Sequence, residues 1–270
     1  AVASTSVLEP PITVTASREP EVASFPDPLR VFDAKRIENL NLPQISDLIR
    51  LMPGVSVSQQ GPIGSFTQIR IRGAEANHTL TFVDGIEVTD PAAGNTTRFE
   101  TLGADNIDRI ELLRGAQSAL WGAEALGGVI AITTADPVDG LRAGGHGEYG
   151  SHDTRRASGN LSAGGGKGGV SLNAAWLKSD GIDALGQSGE RDGFENLTIS
   201  GKAIARPSPD GELGISARYN RADTEFDGFN DFFVHDQTLD GSRIETHAVN
   251  GWATYGTDAA APWTLSIQGM

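Results

Sequence analysis

The chain has 270 residues, no cysteine, and 21 Lys+Arg against 35 Asp+Glu, a formal net charge of -14. These numbers exclude disulfide frameworks and thiolate metal sites, and they disfavour nucleic-acid binding through phosphates; a cationic partner or bound calcium suits such a chain. An apolar fraction of 38% argues against general disorder despite 34 glycines, and the absence of any run of about 18 apolar residues excludes a transmembrane helix while leaving a β-barrel open.

Residues 1–20 carry Pro10, Pro11 and Pro20 and read as an extended tail. Within it Ile12, Thr13, Val14, Thr15 and Ala16 form a short β-prone segment, which suits either a plain linker or a strand donated to the sheet edge of another protein. Residues 30–134 read as an α+β domain. Arg30 to Phe32 is a short strand, and Asp33 is placed to cap a helical turn through Ile37. Ile45, Leu48 and Ile49 fall at helical spacing in 42–51, and Pro53-Gly54 ends that helix. Strands follow at 55–58, at 68–72 with Ile69 and Ile71 opposite Arg70 and Arg72, at 80–83 before the Asp84-Gly85 turn, at 107–113, and at 127–134.

From about residue 143 the pattern changes to segments of about ten residues that alternate apolar with polar or small side chains, the period of barrel strands. Val170, Leu172, Ala174 and Trp176 oppose Ser171 and Asn173; Leu197, Ile199, Gly201 and Ala203 oppose Thr198, Ser200 and Lys202; Leu213, Ile215, Ala217 and Tyr219 oppose Ser216, Arg218 and Asn220. The connections alternate short (164–169, 207–211) with long and acidic (179–195, 222–244), as periplasmic turns and extracellular loops do in outer-membrane barrels. At most about seven strands fit, whereas barrels that enclose a plug have about 22, so the chain is expected to be a fragment or a truncation. The Gly-rich turn around Lys167 lacks a following Ser or Thr and opens no helix, so it is no phosphate loop, and the scattered histidines support no enzyme reading.

Three stretches, in order, resemble the plug domain of TonB-dependent outer-membrane receptors. They are Leu48 to Val55 with its Pro-Gly-Val ending, Ile69 to Gly73 with Phe82 to Gly85, and Ile107 to Gly115 continuing through Ser118-Ala119-Leu120-Trp121-Gly122 to Ile130. The resemblance implies an α+β plug domain followed by an incomplete antiparallel transmembrane β-barrel, with a periplasmic tail at 1–20, the plug at 21–137 and the first barrel strands at 138–270. It implies a bacterial outer-membrane receptor, not an enzyme, for energised uptake of a scarce bulky ligand. The wording at Gln117 to Gly122 and the early barrel loops are closest to the cobalamin (vitamin B12) branch; a siderophore or other metal-chelate receptor, or a surface binding protein that transports nothing, is the alternative.

The implied partners are TonB with its ExbB–ExbD motor, outer-membrane lipid and the small ligand, and Ile12, Thr13, Val14, Thr15 and Ala16 are the implied TonB box. Arg70, Arg72 and Arg114 are expected to face a carboxylate-lined barrel wall. Gln59, Gln60 and Ser65 in one exposed loop, and Asp90 and Asn95 in another, are expected to contact the ligand. The long loops carry many carboxylates, which repel one another unless a cation is present; the bland alternative is a solvated acidic surface. In the cobalamin branch such loops bind calcium, and Asp183, Asp192 and Asp227 match that pattern. Glu190 stands in place of an aspartate, and the last ligand is either Asp236 or Asp240.

Overall fold

The computed structural model describes residues 29–122, 124–184, 186, 191–229, 235–236, 241–255 and 263–269. The first unit runs β1 (Leu29–Asp33), α1 (Ala34–Leu40), α2 (Ile45–Arg50), β2 (Val55–Gln59), β3 (Thr67–Ile71), β4 (Thr79–Val83), β5 (Ile86–Glu87), β6 (Thr89–Asp90), β7 (Thr96–Thr97), β8 (Ile107–Arg114), α3 (Ser118–Trp121) and β9 (Gly128–Thr134). Asp33 caps α1 as its sequence suggests, accepting from Arg36 N at 2.8 Å, and Asn41 at φ 46 closes the helix. The second helix starts at Ile45, later than the apolar spacing predicts, because Gln44 is extended and bridges to Gly103.

Five strands form one sheet in the order β1-β8-β9-β4-β5, with β4 and β9 parallel, while β2 and β3 make a separate hairpin. The core lies between this sheet, the hairpin and the helices. Ile45, Leu48, Ile49, Ile69, Ile71, Ile110, Leu112 and Ile130 are fully buried there. The alternation read from the sequence therefore places Ile69 and Ile71 inside and Arg70 in solvent. Arg72 lies beyond the strand end, with a positive φ of 53.

The second unit is a seven-stranded antiparallel meander: β10 (Gly140–Tyr149), β11 (Arg155–Gly165), β12 (Gly168–Ser179), β13 (Phe194–Ser208), β14 (Gly211–Thr224), then, after the small hairpin of β15 (Gly228–Phe229) and β16 (His235–Asp236), β17 (Ser242–Tyr255) and β18 (Trp263–Gly269). The inner turns are as short as expected, two residues at Gly166-Lys167 and at 209–210. The first outer connection, 150–154, is also short, so the rule of long outer loops begins only after β12.

The two faces of this sheet differ in kind. Leu161, Val170, Leu172, Ile199, Leu213, Ile215 and Val249 are exposed on the outer face. Ser171, Asn196, Ser200, Lys202, Ser216, Asn220 and Asn250 are buried on the inner face, under the plug. The uncharged outer stretch of β13 runs from Leu197 to Ala205, eight residue steps. That is roughly 27 Å of strand, or about 21 Å of height at a tilt of about 40°, close to the band of about 25 Å that outer-membrane barrels turn to lipid. A polar face buried under a domain, backed by a face of exposed apolar side chains, is the inside-out arrangement of a barrel wall.

Candidate functional site: the plug, the wall and the outer loops

The wall grips the plug mainly through its backbone. Asn196 and Asn220 both donate to Thr101 O, at 2.9 and 3.1 Å. Asn250 donates to Asp84 O at 2.9 Å and Ser171 to Ala135 O at 3.2 Å. Two ion pairs reinforce this. Arg156 on β11 pairs with Asp105 at 3.1 Å. Lys202 on β13 lies 3.1 Å from Asp84 and 2.8 Å from Asp136, and donates to Thr134 O at 3.0 Å. Asp84 in turn accepts from Thr134 N and Oγ1, at 2.9 and 2.7 Å. The Asp84-Gly85 turn, read in the sequence only as a hairpin signal, is thus a joint between the plug sheet and two wall strands, β13 and β17. Lys202 was visible as a charge on the polar face of a strand otherwise lined there by Thr198 and Ser200, and that oddity was the available signal.

Beside this joint a cavity of about 370 Å³ separates the plug from β14 and β17. Four buried atoms on its lining, Thr97 Oγ1, Ser216 Oγ, Arg218 Nη2 and Asn220 Oδ1, have no hydrogen-bond partner among the described residues. Such groups are ordinarily satisfied by water, so this part of the interface is a hydrated gap rather than a dry seam.

The expected ligand-contact residues sit in two loops with different roles. In the β2–β3 loop, Gln59 donates to Pro62 O at 2.7 Å, Ser65 is buried, and Gln60 is exposed. That loop reaches the outer part of the wall: Ile63 packs on Leu177, Phe194 and Ala222, and Thr224 donates to Gly64 O at 3.3 Å. Gly64 has φ 89, and a Cβ there would lie 2.0 Å from the Phe194 ring, so no other residue fits. In the second loop Asp90 caps Ala92 N and pairs with Arg98 at 3.1 Å. Asn95 is exposed and donates to Glu124 at 3.1 Å.

The three expected plug cations do different things. Arg114 is buried within the plug and donates to Pro53 O at 2.9 Å, holding the Pro-Gly turn. Arg72 lies against Gly115, and Arg70 is exposed with Gln68 at 3.3 Å. The Arg156–Asp105 and Lys202–Asp84 pairs run with the opposite polarity to the expected one, cations on the wall and carboxylates on the plug.

The roots of the two long outer loops meet where the β13–β14 ladder continues beyond Phe194 and Thr224. Gly193 N donates to Glu225 Oε2 at 3.0 Å and Glu225 N to Gly193 O at 2.9 Å. Asp192 is buried; its Oδ2 accepts from Ala184 N at 3.0 Å. Burial pushes the Asp192 carboxyl up, the Ala184 N–H opposes this, and repulsion from Asp227, Asp183 and Glu225 adds to the rise. Asp192 Oδ1 and Asp227 Oδ1 are buried with no hydrogen-bond donor among the described residues. These residues fit a hard cation: the donors are carboxylate oxygens, two are orphaned, and their repulsion asks for positive charge. Among the described residues no group of three or more acidic or histidine side chains stands at metal-holding distance. Glu190 and Asp240 lie outside the described residues, as do Ile12 to Ala16. The β15–β16 hairpin places Asp236 opposite Gly228, next in sequence to Asp227.

Residues 21–129 match the TonB-dependent receptor plug domain. The chain is 32% identical over 201 residues to the vitamin B12 transporter BtuB of Vibrio vulnificus, covering 70% of this chain and 32% of that protein. It is 28% identical over 226 residues to that of Photobacterium profundum, covering 80% and 36%. The chain therefore spans about a third of the length of these relatives. Its fold matches the ferric enterobactin receptor PfeA of Pseudomonas aeruginosa, solved in complex with BCV-L6, with a TM-score of 0.72 at 20% identity, over 90% of this chain and 41% of that one. With its plug domain seated on the polar face of a barrel-type sheet, the chain belongs to the family of TonB-dependent receptors.

Proposed function

We propose that the protein is the plug-bearing part of an outer-membrane receptor that imports a scarce, bulky ligand, with cobalamin as the leading ligand. One observation carries the transport reading: a folded plug is held against the polar face of a sheet whose other face carries a belt of exposed apolar side chains. A plain surface binder has no use for a plug in the lumen of its own barrel. Cobalamin leads because two relatives that align over most of this chain are vitamin B12 transporters; a metal chelate is the second reading.

In this reading the plug and tail face the periplasm. TonB grips Ile12 to Ala16 by strand addition and pulls on the plug, while Gln60 and Asn95, exposed in the plug loops, meet the ligand. Calcium is part of the proposal. Asp192 and Asp227, with Asp183 and Asp236, would hold it, and its charge would offset the repulsion that otherwise loosens the outer loops.

The test uses the full-length receptor in a strain lacking its own cobalamin receptor. Cobalamin uptake should be restored and should be lost with Val14→Pro, which forbids strand pairing, while surface binding of cobalamin persists. Binding without uptake in the unaltered receptor would leave a surface binder. Uptake of a ferric siderophore but not of cobalamin would move the ligand to the metal-chelate class.

A further inference from the structure

Strand register sorts the outer face of the sheet into rungs. The outermost rung reads Tyr149, Arg155, Lys178, Glu195, Asp223 and Arg243 across six neighbouring strands. The next inward reads Gly147, Ala157, Trp176, Leu197, Arg221 and Glu245, so on β10 to β13 the uncharged belt begins at this rung, while on β14 and β17 it begins one rung further in. Two like-charged neighbours thus stand directly opposite each other: Arg155 faces Lys178, and Glu195 faces Asp223. Like charges opposed across a strand pair destabilise a sheet unless something compensates them.

The acidic pair is compensated from within, since Asp223 pairs with Arg221 at 3.0 Å and with Arg243, and Glu195 accepts from Trp176 Nε1 at 2.9 Å. The basic pair is compensated less well. Arg155 uses Nε and Nη2 on Asp153, at 3.3 and 2.7 Å, which leaves Nη1 for another anion. Lys178 reaches Glu195 only at 3.7 Å, and the Arg155 and Lys178 side chains are 55% and 48% exposed. At the opposite end of the same face the outward positions Leu141, Ala163, Ala205, Leu213 and Ala253 carry no charge.

We propose that Arg155 and Lys178, flanked by Tyr149, bind the phosphate of a phosphorylated lipid headgroup in the outer leaflet of the membrane. The pair lies at the level where the apolar belt ends, with Trp176 one rung below as an interfacial aromatic, so a lipid whose chains lie along the belt presents its phosphate to both cations. This proposal rests on the outer-membrane reading above.

The experiment takes the full-length receptor in bilayers. It measures binding of a glucosamine glycolipid bearing two phosphates, of the same lipid without phosphates, and competition by inorganic phosphate. Proteolysis of the reconstituted protein first reports whether the sheet is inserted. The phosphorylated lipid should bind. R155Q together with K178Q should weaken it by roughly 30-fold, at about fivefold per basic residue, while K167Q, in an inner turn, should leave it unchanged. Equal binding of the dephosphorylated lipid, or no effect of the double substitution, would overturn the proposal. Displacement by inorganic phosphate at equal concentration would overturn it too, in favour of a free-anion site. A receptor that is not inserted would refute the outer-membrane reading, and this proposal with it.

Discussion

Replacing Asp84 tests whether the plug is fastened to the wall where the structure shows it. The Asp84 carboxylate joins Lys202 at 3.1 Å, and the two side chains are only 10% and 6% exposed, so solvent screens the pair little. Removing one partner of a buried pair costs about 3–5 kcal/mol. Because Lys202 keeps Asp136 at 2.8 Å, a half-exposed partner, the lower end applies. Asp84→Ala should therefore weaken the docking of the plug edge by about 3 kcal/mol, and amides of β4 and β9 should exchange with solvent about 100-fold faster in the full-length receptor. Asp84→Asn keeps an acceptor for Thr134 N and loses only the charge, so its effect should be about 1–2 kcal/mol. A double-mutant cycle with Lys202→Met should return a coupling of more than about 1 kcal/mol. Unchanged exchange in Asp84→Ala, or strict additivity in the cycle, would refute the idea that this contact fastens the plug.

Leu172 lies in the middle rung of the outer belt, and Leu172→Arg should reduce stability in lipid by about 2–4 kcal/mol in urea titrations of the refolded receptor; no loss would count against the lipid-facing assignment. Leu48 is fully buried in the plug core, and Leu48→Ala should lower plug stability by about 2–5 kcal/mol, read as a shift in the denaturation midpoint. For the outer loops the sign is set by the raised carboxyl of Asp192. The closed loops bind more protons than the open ones, so without calcium closure should weaken as pH rises through that raised value. Asp192→Asn should then protect the loops from proteolysis in chelator and abolish the extra protection that calcium gives the unaltered protein; calcium protection that survives this substitution would mean the ion sits elsewhere.

The sequence was most readable where one force acts alone. Ile69 and Ile71 alternate with Arg70 because one face of β3 is buried and the other is wet, and β12 to β14 alternate because one face meets the plug and the other does not. It was least readable where distant segments meet. Asp84 and Lys202 are 118 positions apart, and Asp105 and Arg156 51 apart, and nothing local marks either as half of a pair. The polarity of the plug–wall pairs was missed for the same reason: charge type is written in the chain, but the partner of each charge is not. Gln59 and Ser65 show a further limit. Both lie in a loop rich in turn formers, which argues for exposure, yet the loop folds back on itself and uses them to do so.

The import proposed above asks for a plug that is secure at rest and releasable under load, and the chemistry of this interface suits both demands. Thr101, Asp84 and Ala135 offer backbone carbonyls to Asn196, Asn220, Asn250 and Ser171, and each such neutral bond contributes only about 1 kcal/mol net because water competes for both ends. The cavity beside Arg218 already brings unpartnered polar atoms to the seam, so a carbonyl released from the wall finds water rather than a dry surface. The fully buried apolar core, by contrast, lies within the plug itself. A force applied through the tail, as proposed above, would meet two different resistances: many weak, rehydratable bonds plus the Asp84 and Asp105 ion pairs at the wall, and a cooperative core inside the plug. Displacement of the plug as a unit is favoured over its unfolding as long as the whole seam, ion pairs included, yields before the core does. The exchange experiment on Asp84→Ala separates these cases, since loosening confined to β4 and β9 marks release from the wall, and loosening that extends to α2 and β3 marks loss of the core.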